Sequence, residues 1–287
     1  MGNGSSSPPA PAPGASLDPA LCAALARDGR LDALKDAVAK GAPFEKPTRR
    51  FEPSTGEIVE GTTCATCAAA AANGHLDVLR YARESGAPWD EETCAEAAAG
   101  GHLECLQYAR ENGAPWNAWT TTNAAANGHL ECLKYAHENG APWSSEACAR
   151  AAGGGHLECL RYARETARCE WNEGARASAS AAAGGHLEAL RWARENGAEW
   201  DVRTTHAAAR GGHVACLEYA RAKGCEWNEG ACEAAAANGR LEALRWLRER
   251  GAPWKPATIA RVARKGGHEE VMRWAAENGC PDLTADA

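Results

Sequence analysis

Gly101-His102-Leu103-Glu104-Cys105-Leu106-Gln107-Tyr108-Ala109-Arg110-Glu111-Asn112-Gly113-Ala114-Pro115-Trp116 decides the architecture, because close copies of it recur almost from end to end. Glycine–histidine pairs begin at Gly74, Gly101, Gly128, Gly155, Gly185, Gly212 and Gly267, with Gly-Arg versions at Gly29 and Gly239. The step from Gly74 to Gly101, and from Gly101 to Gly128, is 27 residues. In most copies a tryptophan falls 14 residues after the His or Arg: Trp89, Trp116, Trp143, Trp200, Trp227 and Trp254. A fixed period of this length marks a stacked-repeat protein, in which each unit buries its apolar faces against its neighbours.

Within a unit, the spacing predicts a short first helix over Thr93 to Ala99, a glycine turn, and a second helix over His102 to Asn112. Gly113 ends that helix in the left-handed position, and Ala114-Pro115-Trp116 runs extended because a residue preceding proline disfavours helix. Asp90, Asn117, Ser144, Asn172, Asp201 and Asn228 follow their tryptophans as N-caps of the next first helix. Cys94, Ala97 and Ala98 share one face of the first helix, and Leu103, Leu106 and Ala109 one face of the second. Two units depart. The step from Gly155 to Gly185 is 30, and Glu165 to Trp171 contains no stop glycine. The unit from Ile259 to Cys280 lacks its Trp and is expected to cap the C-terminal end, with the tail completing 259–287.

Composition narrows the class of function. Lys and Arg total 31 against 38 for Asp and Glu, a net charge of -7, whereas a nucleic-acid binder carries a basic footprint. No run of about 18 apolar residues offers a membrane span. The opening residues lack the apolar core of a secretory signal, so the 13 cysteines are expected to be reduced thiols in the cytoplasm. Residues 1–17 are Gly, Ser, Pro and Ala with nothing to bury, and read as a disordered leader before a solenoid over 18–287. Gly2, followed by Asn3-Gly4-Ser5-Ser6, fits the N-myristoylation pattern and equally fits a flexible leader by composition. One acyl chain without a polybasic run would give only weak, reversible membrane attachment. Residues 45–62 are an insertion between the first two units, and Arg50 to Val59 predicts a hairpin around Ser54-Thr55-Gly56.

The unit resembles the ankyrin repeat. Gly128-His129-Leu130-Glu131 matches the family's G-H-L-E, and Gly86-Ala87-Pro88-Trp89-Asp90 its G-A-D-V-N with Trp for Val. The unit is of the short type, 27 residues here against about 33 in the family, and the missing residues fall where the family has its protruding hairpin. The resemblance implies an all-α solenoid of about nine helix pairs with shortened or missing hairpins. It also implies non-catalytic protein binding along the first helices.

No catalytic constellation, cofactor loop or metal set is expected. His75, His102, His129, His156, His186 and His213 look like ligands, but each lies in its own unit. Stacked helices sit about 8–10 Å apart, whereas zinc needs its nitrogens within about 2.1 Å; the rings are expected to complete the turn between helices. Cys105, Cys132, Cys159 and Cys216 share a slot with Val78 and Ala189 and read as small core residues. Cys169, Cys225 and Cys280 fall in loops, where a thiol could be reactive. The tryptophan ladder reads as core. Trp119 differs, because its slot elsewhere holds Glu92, Glu146, Arg176 or Arg203, and an aromatic there is a candidate anchor for a partner. With Trp119, the expected working surface is Glu96, Thr122, Asn123, Arg150, Ser180, His206, Arg210, Glu233, Arg261 and Lys265. The expected partner is another protein bound by a monomeric scaffold; the alternative is an enzyme regulator acting through the 45–62 insertion.

Overall fold

In the computed structural model, residues 19–44, 46–52, 57–63, 65–171 and 176–281 are described. Residues 1–18 with Gly2, residues 53–56 with the expected Ser54-Thr55-Gly56 turn, Asn172 and the residues after 281 lie outside them. Among the described residues, nine helix pairs follow one another: α1 (Pro19–Arg27) with α2 (Leu31–Ala39), α3 (Ala65–Ala72) with α4 (Leu76–Glu84), α5 (Glu91–Gly100) with α6 (Leu103–Glu111), α7 (Ala118–Ala126) with α8 (Leu130–Glu138), and α9 (Glu146–Gly154) with α10 (Leu157–Arg161). Then come α11 (Arg176–Gly184) with α12 (Leu187–Glu195), α13 (Val202–Gly211) with α14 (Val214–Ala222), α15 (Glu229–Ala237) with α16 (Leu241–Glu249), and α17 (Pro256–Gly266) with α18 (Glu269–Glu277). The all-α solenoid is therefore as the period predicts.

The caps form at the expected residues. Thr93 N donates to Asp90 Oδ1 at 3.2 Å, Trp119 N to Asn117 Oδ1 at 2.9 Å, Arg203 N to Asp201 Oδ1 at 2.8 Å and Gly230 N to Asn228 Oδ1 at 3.0 Å. Each answers a helix N–H that has no partner within the helix. At the other end, Gly113 takes φ 87°, and Ala114 N donates to Ala109 O at 2.9 Å. That bond closes the second helix and starts the extended segment.

Packing follows from residue size. Ala97, Ala98, Ala124, Ala125, Ala151 and Ala152 are fully buried between first helices, so these approach closely. A fully buried leucine in each of the first eight units (Leu34, Leu79, Leu106, Leu133, Leu160, Leu190, Leu217 and Leu244), and Val271 in the ninth, anchors the second helices, together with half-buried Tyr and Trp. Burying a leucine stabilises by about 1.5–3 kcal/mol, and no single pair has enough surface to bury both of its faces.

Two irregularities stand out. β1 (Lys46–Glu52) and β2 (Glu57–Thr63) pair antiparallel between the first and second helix pairs, with Phe51 opposite Ile58 and Lys46 opposite Thr63. In the fifth pair, α10 runs on into a π-helical turn, Tyr162–Thr166. Cys169 N reaches Ala163 O, 2.9 Å away, where a regular unit bonds Ala114 to Ala109, so the wider turn absorbs one extra residue. Arg168, at φ 53°, fills the left-handed position that glycine holds elsewhere.

Candidate interface on the first-helix face

The repeated histidines tie one unit to the next. Nε2 of His75, His102, His129, His213 and His268 lies 3.0 to 3.1 Å from the carbonyl oxygen of Arg27, Ala72, Ala99, Ala183 and Ala237, each at the end of the preceding first helix. A carbonyl only accepts, so Nε2 carries the hydrogen and has no lone pair for a metal. The ring's other edge lies on the preceding unit's glycine: a Cβ on Gly101, at φ 75°, would sit 2.4 Å from His129 Nδ1. The Gly-His pair is thus read twice, with the glycine receiving the next unit's ring and the histidine reaching back. Arg240 does the same with its guanidinium, Nε donating to Arg210 O at 3.3 Å. The expectation of a residue completing its own turn is corrected here, because the bond crosses to the neighbour. His156 is held below the usual imidazole range by burial and by the nearby His186.

The tryptophans form a spine behind the second helices. Arg83, Arg110, Arg194, Arg221 and Arg248 lie over Trp89, Trp116, Trp200, Trp227 and Trp254 at 4.2 to 5.0 Å from the ring centroid. Each ring meets an aromatic of the next unit edge-on or tilted, as Trp116 meets Tyr135 at 6.3 Å and Trp227 meets Trp246 at 6.0 Å. In the fourth unit His137 replaces the arginine, meeting Trp143 edge-on while its Nδ1 lies 2.9 Å from the Tyr162 hydroxyl. These half-buried rings bind units together and are not an open aromatic strip.

Trp119 is another matter. At 53% exposure it is the one exposed large hydrophobic side chain among the described residues. It stands at the start of α7, with Glu91 and Glu92 in the preceding first helix and Glu146 in the next. Burial, with Asp90, Glu96 and Glu91 close by, pushes the Glu92 carboxyl up, the mark of a crowded acidic group. Across α9 and α11 the sign changes. Glu146 lies between Arg150 at 3.5 Å and Arg176 at 3.4 Å, and these three line a shallow hollow with Ala149 and Ser180. Farther on, Arg203 pairs with Asp201 at 2.7 Å, and His206, whose ring is partly desolvated although its edge reaches water, is held below its usual range by that desolvation and by Arg210, with Glu233 opposing. Lys255 pairs with Glu229 at 2.6 Å, and Arg261 and Lys265 stand exposed on α17.

The sequence-derived surface residues do not form one row. Arg150, His206, Arg210, Arg261 and Lys265 are exposed, and Glu96, Asn123, Ser180 and Glu233 are half-buried. Asn123 is partly spent on structure, its Nδ2 donating to Ala95 O of the previous unit at 3.4 Å. Thr122 is a correction. It is 2% exposed, in the slot of buried Ala95 and Ala149, and its hydroxyl has no hydrogen-bond partner. In that slot a short side chain is covered by the neighbouring helices, whereas His206 and Arg261 are long enough to reach water. Sequence reasoning passed over Glu146 and Arg176, although they share Trp119's slot, and that shared slot was the signal.

Two of the loop cysteines, Cys225 and Cys280, are corrected as well, since burial pushes both thiols up. Cys169, Cys225 and Cys280 are buried, because they occupy the slot of buried Ala114. Burial pushes the Cys225 thiol up to about 11, and Cys94 and Cys232 up to about 12. Such thiols are poor nucleophiles. Among the described residues, no three His, Cys, Asp or Glu side chains converge as a metal site, and no helix is long and apolar enough to cross a membrane.

A family model described as ankyrin repeats (many copies) matches residues 94–137 and 179–221. Among solved structures, the human ASB11 ankyrin repeat domain is similar in fold, at 20% sequence identity and a TM-score of 0.50, over 63% of this chain and 96% of that one. No curated protein sequence matches the chain. The period, the paired helices and the matched segments meet in one conclusion: the chain carries ankyrin repeats at 94–137 and 179–221 within a helical-repeat solenoid of that fold.

Proposed function

We propose that this protein is a non-catalytic scaffold that binds another protein along its first-helix face, with Trp119 as the anchor. Ankyrin repeats indicate a protein–protein interaction scaffold, and the exposure of Trp119 at 53% carries the choice of face. A large exposed aromatic in a slot that its neighbours fill with charge is a poor use of surface unless something covers it. The charge order along the face describes the partner: carboxylates on α5, an indole on α7, then Arg150, Arg176, Arg203 and Arg210 on α9 to α13. A segment with basic, apolar and acidic residues in that order would match it.

Affinity purification followed by mass spectrometry, with wild type beside Trp119→Glu, tests the reading. Glu is what adjacent units hold in this slot, so the variant keeps the fold. Proteins enriched by wild type and lost with Trp119→Glu support the face; an unchanged set of captured proteins refutes it. The second reading is an enzyme regulator acting through the β1–β2 hairpin. The observation favouring it is that seven paired residues per strand interrupt an otherwise strand-free array among the described residues. Deleting residues 45–62 separates the two. Attachment to a membrane through Gly2, within a cytoplasmic and monomeric protein, is a further part of this proposal, and labelling with a myristate analogue beside Gly2→Ala tests it.

A further inference from the structure

The fifth unit differs from the others in one chemical respect that the repeat itself brings out. A first-helix side chain in the slot of Cys94 lies towards the loop slot of Ala114, as the first and fifth units show. The hydrogen bonds make the facing concrete: Cys22 Sγ donates to Ala42 O at 3.9 Å, while Thr121 Oγ1 and Thr205 Oγ1 reach the carbonyl one residue beyond the loop slot, Pro142 O at 2.8 Å and Glu226 O at 3.0 Å. Elsewhere among the described units at least one partner lacks a thiol, as in Cys94 with Ala114 or Thr205 with Cys225. Only the fifth unit places cysteine in both slots, as Cys148 and Cys169. Cys148 Sγ lies 4.0 Å from Cys169 O, and Cys169 Sγ lies 3.6 Å from Ser144 O and 3.7 Å from Glu170 O.

The surroundings favour reaction at Cys169. It follows directly on the π turn and on Arg168 in its left-handed conformation, where the chain has no stop glycine. Arg164 donates to the Cys169 carbonyl at 3.1 Å, placing a guanidinium beside the sulfur. The interaction with Cys148, aided by Arg164, holds the Cys169 thiol below its usual range, while the same interaction and burial push Cys148 up. Cys225 occupies the same loop slot with Thr205 facing it and is pushed the other way. A thiolate-prone sulfur with a second thiol against it is the arrangement of a reactive and a resolving cysteine.

We propose that Cys148 and Cys169 form an oxidation site, closed to an intramolecular disulfide by a peroxide and reopened by a dithiol. The Cys169 sulfur attacks one peroxide oxygen; the O–O bond breaks, a sulfenic acid forms and the first water leaves. The Cys148 thiol then attacks the sulfenic sulfur; the S–S bond forms, the S–O bond breaks and the second water leaves. Both thiol hydrogens end in the two waters, the sulfurs are oxidised and the peroxide is reduced. The bond ties α9, which carries Arg150, to the loop that ends the irregular second helix.

The test treats the purified full chain with one equivalent of hydrogen peroxide, blocks free thiols with N-ethylmaleimide, and digests it for mass spectrometry. The expected product is a peptide pair linked through Cys148 and Cys169, which disappears after dithiothreitol, while Cys225 remains free of any disulfide. Cys169→Ala and Cys148→Thr install the residues that Ala141 and Thr121 supply in the fourth unit, so both variants fold, and neither yields the link. Cys148 and Cys169 both recovered with the maleimide, or Cys169 recovered as a sulfinic acid with Cys148 labelled, would overturn the proposal.

Discussion

Replacing Gly101 with alanine separates two roles that one glycine plays. Gly101 and Gly113 belong to the same unit and have similar backbones, at φ 75° and 87°. Alanine in the left-handed region costs about 1–2 kcal/mol at either position. At Gly113 nothing lies within 4 Å of the added Cβ, so that term stands alone. At Gly101 the Cβ falls 2.4 Å from His129 Nδ1 and 2.7 Å from Cε1, well inside a carbon contact of about 3.5 Å. The ring must move by about 1 Å, which breaks the 3.0 Å bond from His129 to Ala99 O. Leaving that helix-end carbonyl unpaired adds about 1–3 kcal/mol. Gly101→Ala should therefore cost about 2–5 kcal/mol and Gly113→Ala about 1–2. Urea unfolding monitored by circular dichroism reads the difference as a midpoint shift on the order of 1 M. In a His129→Ala background the two glycine variants should converge, since the clash is gone. Equal losses in wild type, or a gap that survives removal of the ring, would show that the histidine does not couple the units.

Thr122→Ala should leave the urea midpoint unchanged or raise it, because the variant removes a buried hydroxyl without a partner; a fall of about 1 kcal/mol or more would mean the hydroxyl is satisfied. Trp119→Glu should weaken a captured partner by about 2 kcal/mol or more, roughly thirtyfold, as for a central anchor, and surface plasmon resonance measures it. Arg150→Glu with Arg210→Glu should weaken the same partner chiefly through the on-rate, with the effect shrinking in high salt. Acid should destabilise the fold through His156 and His206. Both titrate below 6.5 when folded and near 6.5 when unfolded, so the unfolded chain takes up protons first. Their contribution is intact above pH 6.5 and is lost as pH falls from there through the folded values. Urea midpoints measured between pH 7.5 and 5.5 should fall, and fall less in His156→Gln.

What the sequence disclosed was what repeats within a unit. Gly113, Asp90 and Leu106 act over a few residues, so their spacing alone places helix ends, caps and core. The role of His129 was hidden, because its partner Ala99 lies in the preceding unit and a period does not say which neighbour a side chain meets. Thr122 misled for a related reason: whether its slot is buried depends on side-chain length against the adjacent helix. Cys169 looked like a loop thiol, yet alignment to Ala114 would have marked it as buried. The π turn replaces an absent glycine, and an absence tells nothing of how the chain compensates. Trp119 was legible since it breaks the pattern of its slot, and residues that depart from a repeat are where a repeat protein differs from its neighbours.

The claim that one face binds the partner is most directly tested by mapping it with a photocrosslinker. Benzoylphenylalanine placed singly at Trp119 and Arg203 on the first-helix face, at Glu158 on a second helix, and at Phe51 in the hairpin should give covalent partner adducts from the first two positions alone. Adducts from Glu158 or Phe51, with none from Trp119, would contradict the account.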